Sequence, residues 1–309
     1  MTLAGADRCA RLLEVAATGA TTDRREVVVG RFQASWQLLG SSWSVLKADK
    51  ELTVVPVVST VTSLVIAGVL GAGAYFTLQE TTTVGSTSGS YELSATPLTY
   101  VVGVVAYLVL AVVVTFFTGV LCSGAYQRLS GGDPSLGSAF AGATSRFPQL
   151  ALWGLLTGTV GLILQAIRER AGFLGDIVAS IVGAAWDIVT WLAIPVVIVE
   201  GTGPIASLKR SASLFKQTWG ENLIAQAGFG LAGFVIMLPG LVLFGALLVV
   251  VPFVGIPLLV VWIVAVAVVL STLGGIYRTA LYLYASTGQA PQGFDQNQMA
   301  SSFRSKVKA

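Results

Sequence analysis

The sequence predicts an all-α, polytopic membrane protein: six transmembrane helices arranged as three hairpins. Three observations predict it. Apolar runs longer than a bilayer crossing recur along the chain. Only 11% of the 309 residues are charged, against about 25% in a soluble domain. The mean hydropathy is +0.80. Transmembrane strands would alternate apolar and polar side chains, and the run from Val101 to Thr115 does not.

The expected spans are Val54 to Phe76, Leu98 to Tyr126, Pro148 to Ile167, Asp176 to Val199, Leu223 to Val251 and Leu258 to Tyr284. Lys and Arg set their orientation. All 18 bases except Arg168 and Arg170 fall on one side of this layout. That side is expected to be cytoplasmic and to carry both termini, in the plasma membrane. Residues 1–30 have no apolar core of a signal peptide and read as a cytoplasmic tail. Residues 31–286 form the membrane domain, with units 31–126, 134–200 and 204–284. Residues 287–309 read as a flexible cytoplasmic tail. Gln79 to Pro97, rich in Thr, Ser and Gly, reads as a mobile outer loop.

A short amphipathic helix precedes each hairpin. Phe32, Trp36, Leu39 and Trp43 are spaced i, i+4, i+7, i+11, a spacing that puts them on one helix face. Leu136, Phe140, Ala143 and Phe147 repeat it, and so do Leu208, Ala212, Phe215 and Trp219. Apolar aromatic stripes beside Lys, Arg, Ser and Gln suit the bilayer interface. Anchoring each hairpin is the simplest role; gripping lipid or docking a partner is the alternative. Three such units predict a pseudo-threefold repeat.

Arg31 to Leu52 reads RFQASWQLLGSSWSVLKADKEL. This resembles the opening of an uncharacterised six-span family of bacteria and archaea, a family of unknown function. The matching residues are Phe32, Ser35, Trp36, Ser42, Trp43, Val45, Leu46, Asp49, Lys50, Glu51 and Leu52. The segment Ser207 to Ser211, S-L-K-R-S, is similar to helices in the membrane domain of some glycerophosphodiesterases. The resemblance implies six spans and brings no activity.

Inside the spans, Asp187 is the sharpest candidate. It lies about 16 Å into the fourth span, where a carboxylate costs roughly 2.5–3.5 kcal/mol and faces protein or water. Ala179, Gly183 and Asp187 share a face, and Gly154, Gly158 and Gly161 form a smooth stripe on the third span. Thr157 or Thr159 is expected to bond the acid across the hairpin. Asp176 is expected to cap the fourth helix. Glu200 is expected to pair with Arg210 or Arg278. Cys122 reads as a packing residue. From Asn222 to Tyr277 no charge occurs, and the apolar turn 252–257 is expected at or below the head groups or between subunits.

The chain has no histidine, which removes Ser-His-Asp and His-ligated metal chemistry. No phosphate loop, metal cluster or paired carboxylate occurs. No catalytic residue and no cofactor are therefore expected, and the protein is read as no enzyme. A net charge of +3 gives no basis for nucleic acid. The expected partners are membrane lipids and a second copy, met through small-residue faces or the 252–257 turn. The expected role is a non-catalytic, self-assembling or lipid-organising component. The alternative is a channel or transporter using Asp187.

Overall fold

A computed structural model describes residues 40–44, 46, 50–82, 91–94, 96–219, 224–296 and 299. Phe32, Trp36 and Leu39 lie outside the described residues. A 3-10 turn, Lys50–Thr53, leads into helix α1, Val54–Tyr75. Strands β1, Gln79–Thr82, and β2, Tyr91–Ser94, pair antiparallel from Gln79↔Ser94 to Thr82↔Tyr91. The expected mobile loop is thus a paired hairpin at both of its described ends. Then come α2, Pro97–Leu129, α3, Leu136–Thr144, α4, Phe147–Thr190, and α5, Ala193–Glu200. The chain continues with α6, Pro204–Trp219, α7, Ile224–Val250, and α8, Pro252–Thr287. Among the described residues, four stretches are long and apolar enough to cross a membrane: Glu51–Tyr75, Pro97–Leu129, Phe147–Glu200 and Pro252–Thr287.

The third stretch is not one rod. At Gly172 the backbone takes φ 54° and ψ −142°, a conformation that glycine adopts at little cost. A β-carbon on Gly183 would lie 3.6 Å from Leu164 Cδ1. In a straight helix those residues would be about 28 Å apart, so α4 doubles back. Its first arm is 147–171 and its second is 173–190. The third helix therefore runs past Ile167 through the charged residues Arg168, Glu169 and Arg170 to the turn. Asp176 is not the N-cap: the second arm begins right after Gly172, leaving Asp176 in its first turn, where the helix dipole favours an acid.

Contacts divide the described residues into two units, one of residues within 44–218 and 267–293, the other holding 224–266. In the first unit the core sits at the end away from Gly172. Phe117, Val120, Leu121, Cys122 and Ala125 of α2 are buried there, with Leu150 and Trp153 of α4, Val196 and Val197 of α5, and Ile276 and Ala280 of α8. Cys122 is a buried packing residue, as read from the sequence. The other half of the unit displays apolar side chains outward, among them Leu64, Val69, Tyr100, Ile163 and Ile181. That surface suits hydrocarbon as a solvent.

Glycines let α2 and α4 approach. At Gly154 an added β-carbon would meet Val112 Cα at 2.7 Å and Ala111 O at 3.1 Å. At Gly158 it would meet Leu108 and Ala111, and at Gly161 the Tyr107 hydroxyl. The glycine stripe thus receives α2, and not the second arm of α4 as expected. Periodicity identifies a smooth face but not the neighbour that uses it.

The second unit holds α7 and the start of α8. Pro239 lies inside α7, and Trp262 Nε1 donates to Met237 O at 3.4 Å beside it. Pro252 opens α8, where its missing N–H costs nothing. The expected turn 252–257 is therefore helical, and the chain turns at Val251, whose carbonyl accepts from Val254 and Gly255.

Candidate functional site: a polar cluster in the spanning helices

Two segments of the first unit break the helical ladder, and polar side chains fill the breaks. α4 ends at Thr190 and α5 starts at Ala193. The Ser211 hydroxyl donates to Val189 O at 2.6 Å and accepts from Leu192 N at 3.2 Å. It supplies the partners that the interrupted helix lacks. α5 ends at Gly201, whose φ is +65°, the left-handed C-terminal position that glycine favours. The Ser207 hydroxyl donates to Gly203 O at 3.0 Å and Thr202 O at 3.2 Å.

So the S-L-K-R-S segment is a set of stitches. The buried face of α6 is Ser207, Ser211 and Leu214, while Leu208 and Phe215 are half-buried. The core-facing stripe is offset by one residue from the expected one, because two hydroxyls find backbone partners inside. Arg210 Nε donates to Glu200 Oε1 at 3.0 Å, and the Tyr282 hydroxyl donates to the same oxygen at 3.0 Å. Arg210, of the two bases expected for Glu200, is the one that pairs with it.

The short helix α3 behaves similarly. Ala139 and Ala143 are buried, and Phe140 meets the Phe117 and Phe116 rings at 5.9 and 6.2 Å. Phe147 meets Phe116 at 5.8 Å. Leu136 is half-buried, and its N–H donates to Glu51 Oε2 at 3.2 Å. Glu51 thereby caps α3 from 85 residues away, and Leu52, the next residue, packs on Gly124. Trp43 is 42% exposed, and Trp219 closes α6.

Arg278 does not pair with Glu200. Its guanidinium lies over the Trp191 ring, 4.0 Å from the centroid, a cation–π contact. Arg278 Nε and Trp191 Nε1 are buried with no hydrogen-bond partner among the described residues. Asp187 lies within Coulombic reach of Arg278, yet no direct ion pair or hydrogen bond joins them. Asp187 itself is exposed on the second arm of α4, midway between the Gly172 turn and Glu200.

The expected threonine partners are occupied otherwise. Thr157 donates to Trp153 O and Gly154 O, each at 3.1 Å, and Thr159 donates to Leu155 O at 2.8 Å. A helical threonine reaches its own backbone first, so neither hydroxyl serves Asp187. The nearness of Arg278 to Asp187 was missed in the sequence. Its signal is position: Arg278 is the first charge after the uncharged stretch ending at Tyr277, and an arginine shaft is long enough to fold back along a helix.

Residues 97–294, more than half of the chain, match one protein-family model. The chain belongs to the DUF6159 family, a family of unknown function. The polar cluster, both stitched breaks and α3 all lie within the DUF6159 match. The S-W and D-K-E-L motifs precede it, since the match begins at Pro97. No curated protein matches the chain.

Proposed function

We propose that this DUF6159 protein is a non-catalytic, self-assembling or lipid-organising component of the plasma membrane. The chain crosses six times, as three hairpins led by interfacial helices, with both termini cytoplasmic. The reversal of α4 at Gly172 supports two crossings in that segment. The clustering of bases supports the orientation.

One observation carries the assembly reading. Asp187 is exposed on a helix of the spanning type, beside an arginine with unspent donors. A carboxylate facing hydrocarbon costs roughly 2.5–3.5 kcal/mol, so the face is covered by polypeptide, and a second copy supplies that cover most simply. The reading is tested by native mass measurement of the full chain in mild detergent. Multiples of 32.1 kDa with retained lipid are expected. A lipid-free monomer overturns it.

The same pair favours a second reading, a channel or transporter in which Asp187 and Arg278 line a solute path. In reconstituted vesicles that reading requires an ion or solute flux that Asp187→Asn abolishes. Flux equal in the variant and the parent rejects it.

A further inference from the structure

A cavity of about 590 Å³ lies between the N-terminal part of α2 and the C-terminal part of the first α4 arm, within the size range of ligand sites. Tyr100, Gly103, Val104, Tyr107, Gly161 and Arg168 are among its walls. Tyr100 is 69% exposed and Tyr107 43%, and Gly103 and Val104 are exposed too, so the cavity opens sideways to whatever surrounds the helices. Its wall is apolar apart from Thr99, Gln165, Arg168 and the two phenols. Gln165 is committed: its amide donates to Glu169 Oε1 at 2.8 Å. Arg168 is exposed and makes no hydrogen bond or ion pair among the described residues.

We infer that this cleft binds one anionic phospholipid of the bilayer, with its phosphate on Arg168 and an acyl chain along the Tyr100–Tyr107 wall. The inference deepens the lipid-organising part of the function proposed above and rests on it. Three features fit this occupant. Arg168 stands at the end of the arm nearest the Gly172 turn, at head-group level for a helix of spanning length. A guanidinium grips phosphate with two parallel donors. Tyr100, in the first turn of α2, sits where amphipathic rings favour the boundary between hydrocarbon and head groups, and Tyr107, against Gly161, stands about 10 Å deeper than Arg168, beside the acyl chain. A purely apolar molecule would leave the guanidinium unused, and a soluble anion would leave the apolar wall bare.

The test uses the full chain in mild detergent, titrated with phosphatidylglycerol or phosphatidylcholine of identical acyl chains. Bound lipid is read by native mass spectrometry. The parent should retain one phosphatidylglycerol in preference to phosphatidylcholine. Arg168→Gln should weaken retention at least tenfold, and Arg168→Lys should restore part of it. Arg170→Gln, which changes a neighbouring base outside the cleft, should leave it unchanged. A β-carbon at Gly103 meets nothing within 4 Å, so Gly103→Phe should fill the cleft and expel the lipid at an unchanged unfolding temperature. Gly103→Ala should keep the lipid.

Equal retention of the two lipids overturns the proposal. So does equal loss in Arg168→Gln and Arg170→Gln, which marks diffuse surface charge, and so does retention by Gly103→Phe. The protein mass in the same spectrum separates this idea from self-assembly. Oligomers without the lipid reject the cleft alone, and lipid-bearing monomers reject assembly alone.

Discussion

Gly154→Ala is expected to destabilise the protein by about 3 kcal/mol, the upper end of the usual overpacking range. The added carbon would meet Val112 Cα at 2.7 Å and the Ala111 carbonyl at 3.1 Å. Both are backbone, so no rotamer change relieves the clash. α2 and the first arm of α4 must separate, and packing along the whole glycine stripe loosens. Gly158→Ala should cost less, because it meets the side chains of Leu108 and Ala111 at 3.0 and 3.1 Å. Gly183→Ala should reverse the sign. Its nearest neighbour is Leu164 Cδ1 at 3.6 Å, an ordinary contact, and a mid-helix alanine gains about 0.5–1 kcal/mol over glycine. Unfolding in mixed micelles with rising denaturing detergent measures the series. Equal effects at positions 154 and 183 would refute the helix arrangement.

The second large effect is expected at the charged pair. Asp187→Asn leaves Arg278 without its nearby acid. Arg278→Gln removes the stacking on Trp191, itself worth about 0.5–2 kcal/mol, and the positive charge within Coulombic reach of Asp187. Each single change should destabilise the folded chain in micelles. The double variant should cost somewhat less than the two single costs added together, because the two charges attract without a direct bond. Strict additivity would mean that the two charges do not act on each other.

The long apolar runs made the helices legible, and the stripes at helical spacing located α3 and α6. Partners were harder to read. Periodicity marks a face, so the glycine stripe was visible while its neighbour, α2, was not. Arg168 to Arg170 read as outer-boundary charges, so the expected third span ends at Ile167. Yet arginine and glutamate are good helix formers, and bases at a helix C-terminus are favoured, so the arm continues to Gly172. Ser207 and Ser211 lie off the expected apolar stripe of Leu208, Ala212, Phe215 and Trp219. They are buried because each bonds the backbone beside a helix break, a tertiary fact that spacing does not encode. Asp187 stood out by depth alone. Arg278 did not, because hydropathy placed it at the end of its span while its side chain lies on Trp191. The tail was expected to be free, but Gln292 N donates to Leu129 O at 3.1 Å, which ties the described residues after α8 to α2.

In the proposed assembly the Asp187 face meets a second copy of the chain. Ala184 is exposed and lies one turn before Asp187 on the same face. With Cys9 and Cys122 replaced, Ala184→Cys should form an intermolecular disulfide on mild oxidation in native membranes. Val69→Cys, on α1 and 67% exposed in the parent, should not. No dimer from Ala184→Cys, or dimers in equal yield from both positions, would rule out a second copy at this face.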